Sequence, residues 1–201
     1  MNKPEYVKVD DKLYRINTDF RIALECNRIA LDETIGDYER PLAILYKLFG
    51  EAGLDCENKS KLLELGMKYL LLGKTQNSLK FQSDKKYEIN FDKCKGLIAS
   101  SFMYDYKYNP YEQDYLHWYD FYNDLENLSS SELGNCCILN RIIGILDRDA
   151  SKIKDNKDRQ KLIEVQQMLK ERYCDNVEKK QMTEEQEASA KEFYKEFGIE
   201  W

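Results

Sequence analysis

Residues 104–128 read YDYKYNPYEQDYLHWYDFYNDLENL, and the reading of this stretch decides the fold. It holds seven of the chain's 15 tyrosines, together with Trp118, Phe121 and the single histidine, His117. Tyr104 to Pro110 alternates aromatic and polar residues and ends in Asn109-Pro110. That dipeptide signals a turn, because the residue before a proline is pushed out of the α region. Beyond it the period changes. Tyr111, Tyr115, Trp118, Tyr122 and Leu125 are spaced four, three, four and three apart, which predicts one face of a helix. So much aromatic area on one stripe must be buried, and each tyrosine hydroxyl wants a partner or a wet edge. The stripe therefore reads first as core, with its outer tyrosines as candidates for a protein-binding surface.

Toward the C-terminus, Ser129 with Glu132 three residues on is a capping-box signature. The helix it opens carries Leu133, Cys136, Cys137, Ile138, Leu139, Ile142, Ile143, Ile145 and Leu146, apolar most of the way round. A charged break at Asp147–Asp158 precedes a long amphipathic helix over roughly 158–180, with Leu162, Val165 and Leu169 on its seam. Thr183 and Gln186 form a second capping box, followed by a weak stripe of Ala190, Phe193, Tyr194 and Phe197 and a terminal Trp201.

Toward the N-terminus, Tyr87, Ile89 and Phe91 alternate as a short strand or as an extended lead-in to Asp92, a candidate cap for the helix with Leu97, Ile98, Ser101 and Phe102 inside. Residues 74–86 are polar and unperiodic and read as a loop. Asn58 caps a helix from Lys59 to about Gly73 that is apolar almost all round, which places it at the centre of a helical core. Pro41 suits the first turn of a helix carrying Leu42, Ile44, Leu45, Leu48 and Phe49, which Gly50 ends. Thr18 or Asp19 caps a helix running to about Glu33, with Phe20, Ala23, Leu24, Asn27 and Leu31 near the helical period. Residues 5–16 hold two β-rich runs around Asp10-Asp11-Lys12, a hairpin that must pack on something to persist. The expected fold is mainly α, with six to seven helices and a small N-terminal hairpin. One domain spans 1–174, and 175–201 form a C-terminal helical extension.

Charge and composition narrow the function. A net charge of −6 argues against a general nucleic-acid binder and against attachment to anionic membranes. Apolar runs such as Tyr69–Leu72 are too short to span a bilayer, and MNKPEYVKVDDK lacks the apolar core of a signal peptide. Six cysteines without a CxxC pair, beside one histidine, form no zinc pattern and read as buried thiols in a reducing compartment. Gly73-Lys74-Thr75 lacks the preceding glycine and strand of a phosphate loop, so Gly73 reads as a helix end. His117 has no nucleophile elbow to serve and reads as a hydrogen-bonded packing residue. Asp147, Asp149, Glu184 and Glu185 lie in charged segments without a histidine partner. Aromatic platforms for bases are flanked by Lys and Arg, whereas here Asp105, Glu112, Asp114, Asp120 and Asp124 outweigh Lys107. No catalytic, cofactor or metal site is expected. What remains is a protein–protein interaction module.

The block Asp92–Leu128 resembles the bacteriophage "gene product fifteen" family. The likeness rests on its acidic start, Leu97-Ile98-Ala99-Ser100-Ser101-Phe102, the tyrosine-rich turn and Tyr115-Leu116-His117-Trp118-Tyr119-Asp120-Phe121. Arg141, then Ser151-Lys152-Ile153-Lys154-Asp155 and a basic helix, continue it, and the Phe20-Arg21 and Pro41-Leu42 helices fit the family's first half. The resemblance covers most of residues 6–172. It implies a phage or prophage protein of Gram-positive hosts acting as a tail assembly chaperone. Such a protein binds the tape-measure and tail-tube proteins in the host cytoplasm, self-associates, and is absent from the mature virion. The alternative is a helical adaptor or regulatory protein that binds another protein or nucleic acid; an enzyme comes third. The candidate partner-binding residues, chosen for aromatic density, are Tyr104, Tyr106, Tyr108, Tyr111 and Trp118, with Phe193, Phe197 and Trp201 at the tail.

Overall fold

The computed structural model describes residues 3–32, 34–73, 88–128 and 137–175. Among these the chain is mainly helical, with eight α-helices and two short antiparallel strand pairs, the first of them the N-terminal hairpin. The readings placed on 74–86, 129–136 and 176–201, including the two capping boxes and the terminal helix, fall outside the described residues. The chain divides into two compact units. One comprises the described residues up to 73 with Tyr115–Tyr119, and the other comprises 88–114 with 120–175.

In the first unit, β1 (Tyr6–Val9) pairs with β2 (Lys12–Arg15). Asp10 and Asp11 have φ of 45° and 65°. Positive φ at both central residues gives a turn whose twist matches that of the strands, and aspartate tolerates it better than most residues. Alternation puts Val9 and Tyr14 inside, joined by Ile16, while Tyr6, Lys8, Leu13 and Arg15 face out. Helix α1 (Phe20–Leu31) starts at Asp19, whose carboxylate accepts from the Arg21 N–H at 2.9 Å. Its buried face runs Phe20, Ala23, Cys26, Ile29. Leu31, expected inside, is 60% exposed, because the packed stripe is rotated onto Cys26, a small apolar side chain.

Helix α2 (Glu39–Phe49) ends at Gly50, whose φ of +65° disfavours a side chain, and a four-residue α3 (Glu51–Leu54) that the periodicity did not suggest follows at once. Helix α4 (Lys59–Leu70) is capped by Asn58, which accepts from the Lys61 N–H. It packs on α2 at Gly66, where a Cβ would lie 3.0 Å from Leu48 Cδ1. Helix α4 closes with Leu72 in the left-handed region at φ 58°, its N–H on the Tyr69 carbonyl at 2.9 Å, and the Gly73 N–H reaching back to the Lys68 carbonyl at 2.8 Å.

The second unit holds α5 (Lys95–Tyr106), α6 (Trp118–Glu126, whose first two residues belong to the other unit), α7 (Ile138–Leu146) and α8 (Asn156–Tyr173). Its core is built from Ile98, Phe102, Phe121, Tyr122, Leu125 and Leu139, all fully or almost fully buried. Asp92 does not cap α5. The Asn90 side chain accepts from the Lys93 N–H instead, and the helix begins only at Lys95. Helix α8 spans 156–173 rather than 158–180, opened by the Asp155 carboxylate on the Asp158 N–H. It stops because Cys174 is extended: β4 (Cys174–Asp175) pairs with β3 (Glu88–Ile89), so the expected strand holds at Ile89 but not at Phe91, which lies in a turn, while Tyr87 is outside the described residues. Five described cysteines, Cys26, Cys56, Cys94, Cys137 and Cys174, are buried, unbridged thiols, as expected. Burial pushes the Cys26 thiol up to about 12.

Candidate functional site

The aromatic stretch is not one long helix after a turn. Tyr104–Tyr106 form the last turn of α5, which Lys107 ends in the left-handed region at φ 63°. Asn109 then caps a short 3-10 turn over Pro110–Glu112, its Oδ1 accepting from the Tyr111 N–H at 3.1 Å. The turn signal at Asn109-Pro110 is thus realised. Helix α6, however, begins only at Trp118, so Tyr111 and Tyr115 are not on it. The intervening residues are claimed by pairing with a distant part of the chain. The Phe20 N–H donates to the Leu116 carbonyl at 2.9 Å, the Trp118 N–H donates to the Thr18 carbonyl at 2.8 Å, and Asp19 and His117 form an antiparallel bridge. Backbone pairing of 18–20 with 116–118 competes with helix and wins, because each N–H bonds only once.

His117 fills the place of a helix cap. Its Nδ1 accepts from the Tyr119 N–H at 3.0 Å, so that nitrogen carries no proton. The ring is buried and edge-on to Tyr69 and Tyr119, which stack on each other with centroids 5.3 Å apart. His117→Ala is expected to cost about 1 kcal/mol through the lost cap. His117→Asn, which keeps an acceptor, is expected to recover part of it. Urea melts of both variants check this, and equal losses for the two would show that the cap carries no weight.

Tyr69 is 3% exposed, and its hydroxyl has no partner among the described residues. Burial raises its pKa above the ordinary phenol value. Folded Tyr69 and Cys26 hold their protons where the unfolded chain releases them. Stability is then fully present below about pH 9 and falls as pH rises, from the thiol first and from the phenol above about 10. Tyr69→Phe is expected to flatten the alkaline fall and to leave neutral stability unchanged or higher by up to about 1 kcal/mol. Melting temperatures across the alkaline range check both signs.

The five described candidate residues divide by environment. Tyr106 and Tyr108 are half-buried and converge on Asp124. The Tyr106 hydroxyl donates to its carbonyl at 2.8 Å and the Tyr108 hydroxyl to its Oδ2 at 2.7 Å. Both rings meet Phe102 edge-on. Burial raises the Tyr108 pKa first, and the hydrogen bond to the Asp124 carboxylate adds to it, so the phenol stays a donor. Tyr111 is half-buried, with the Lys95 ammonium 5.0 Å from its ring centre. Tyr104 is 57% exposed beside Met103 at 47%. Its neighbour Lys107 donates to the Tyr104 carbonyl at 2.6 Å and lies 5.6 Å from its ring centre. Trp118 is corrected from contact residue to core: it has no exposed surface, and its indole N–H donates to the Leu70 carbonyl at 3.0 Å. Phe193, Phe197 and Trp201 lie outside the described residues. Among the five described candidates, Tyr104 therefore presents the most surface. Met103 was missed because a methionine beside a tyrosine run carries no periodic signal. Leu13 and Tyr6 were missed as surface residues, although strand alternation opposite Val7 and Val9 would have found Tyr6.

Among the described residues no group of His, Cys, Asp and Glu side chains is arranged to hold a metal ion, and no helix is long and apolar enough to cross a membrane. Fold and site define a helical protein with an aromatic, acid-flanked surface segment. The chain belongs to the bacteriophage Gp15 protein family, whose model matches residues 2–171. No curated protein and no solved structure matches it.

Proposed function

We infer that this chain is a non-enzymatic chaperone of phage tail assembly, binding the tape-measure and tail-tube proteins during morphogenesis. The family match over residues 2–171 carries the reading. In this reading the protein belongs to the tail-assembly genes of a phage or prophage of a Gram-positive host, acts in the host cytoplasm and is left out of the finished virion. The chemistry of the exposed segment supports a binding role. Tyr104 and Met103 offer contact area at the surface, and tyrosine does so with few rotatable bonds to immobilise. The Nδ1 of the single histidine is engaged as a helix cap, so that nitrogen is not available as a base.

Co-expression with the tape-measure protein of the same gene cluster tests the reading. A soluble complex recovered by affinity capture, with the tape-measure chain insoluble when expressed alone, is the expected result. A tape-measure chain that stays insoluble and uncaptured would overturn it. Tyr104→Ala is expected to weaken capture without changing the fold, whereas Tyr106→Ala and Tyr108→Ala also disturb the Asp124 contacts.

A further inference from the structure

We propose that the outward face of the β1–β2 hairpin docks on the acidic, tyrosine-rich segment of a second copy of this chain. This deepens the self-association that the family resemblance implies by naming the two faces that meet, and its test is read apart from tape-measure binding. The solvent face of a two-stranded antiparallel sheet is ordinarily polar. Here it carries Leu13 at 69% exposure and Tyr6 at 51%, with exposed Lys8 and Arg15 beside them. The register pairs Tyr6 with Arg15 and Lys8 with Leu13, so each apolar side chain has a cation directly across the sheet. Tyr6 and Leu13 are then diagonal neighbours, within reach at about 7–8 Å. Lys8 meets Asp11 at 2.7 Å, but both side chains are well exposed, and such a pair yields readily to a better partner.

The same chain carries the opposite surface. Tyr104–Asp114 holds three carboxylates, Asp105, Glu112 and Asp114, against one cation, Lys107. That ammonium is held by the carbonyl and ring of Tyr104. Met103 and Tyr104 are exposed at the start of this stretch, and Glu112 and Asp114 are exposed at its end. One face is apolar and basic, the other aromatic and acidic, and every molecule presents both. In a chain of net charge −6, most surfaces of two copies repel. The complementary pair of faces is what selects a second copy as the occupant. Opposite charges set approach and register, and the apolar side chains give the contact area. Because different patches meet, the contact is heterologous, and it closes into a ring or continues as an open chain.

Sedimentation of the full chain at low and high salt tests this. The expected result is a mass above the monomer that rises with concentration and falls with added salt. Two charge-reversed chains, Lys8→Glu with Arg15→Glu and Asp105→Lys with Glu112→Lys, are each expected to weaken self-association by roughly tenfold or more. Mixed together, they restore it between unlike molecules. Leu13→Asp weakens it without altering the acidic face, and circular dichroism confirms that each variant is folded. A wild-type chain that stays monomeric at all concentrations overturns the proposal. So does association that ignores both charge reversals in folded protein. Hairpin variants that still self-associate but fail to capture the tape-measure chain also overturn it, by assigning the face to another protein.

Discussion

Trp118→Ala is expected to cost about 3–5 kcal/mol, a large share of the stability of an ordinary domain. The side chain has no exposed surface, so its removal leaves a cavity as well as a loss of buried area. The indole N–H also satisfies the Leu70 carbonyl near the end of α4, and without it that acceptor is left unpaired in the interior. Trp118→Phe separates the two effects, because it restores most of the ring and none of the hydrogen bond. It is expected to cost roughly 1–3 kcal/mol, the price of the orphaned carbonyl. Urea denaturation followed by circular dichroism reads both. At about 2 kcal/mol per molar urea, the alanine variant should lose about 2 M in midpoint. A loss much under 1 M would mean that the indole is not embedded as described.

Phe102→Ala is the second large effect, again about 3–5 kcal/mol. Its ring is fully buried, stacks on Phe121 at 5.5 Å and receives the edges of Tyr106 and Tyr108. Alanine slightly improves the helix propensity of α5, so the whole loss comes from packing. Because Tyr106 and Tyr108 lean on that ring to reach Asp124, the variant is expected to loosen the tyrosine segment before the rest of the second unit. Hydrogen exchange of the amides in α5 and α6 checks the order. Uniform acceleration across the unit would argue against it. Phe102→Leu, which fills more of the space, is expected to lose about half as much.

Much of the fold is legible in local chemistry. Asp19 and Asn58 cap the helices they were expected to cap, and Gly50 ends α2, whereas α4 stops at Leu70 with Leu72, not Gly73, as its first left-handed residue. The hairpin turns at Asp10-Asp11. Each of these depends on one side chain or one dihedral within a few residues, so the local sequence suffices. The inner faces of α2 and α5 follow the apolar period for the same reason. The candidate site was less legible. Aromatic density located the segment, but it did not separate Tyr104, which faces solvent, from Tyr106 and Tyr108, which bond inward, or from Trp118, which is core.

The sequence alone determined the class of fold, the caps of α1 and α4, the glycine end of α2, the burial of the described thiols and the family, because these follow from residue identity, spacing and motif. Tertiary structure decided where the aromatic helix begins and which aromatics are available to a partner. The helical period of Tyr111–Leu125 is a real local preference. It is broken up to residue 117 because the backbone there pairs with Thr18–Phe20, almost a hundred positions away. Asp124 likewise turns two phenols inward from across a turn. A short window of sequence carries neither contact, since each depends on groups brought together only when the chain has folded.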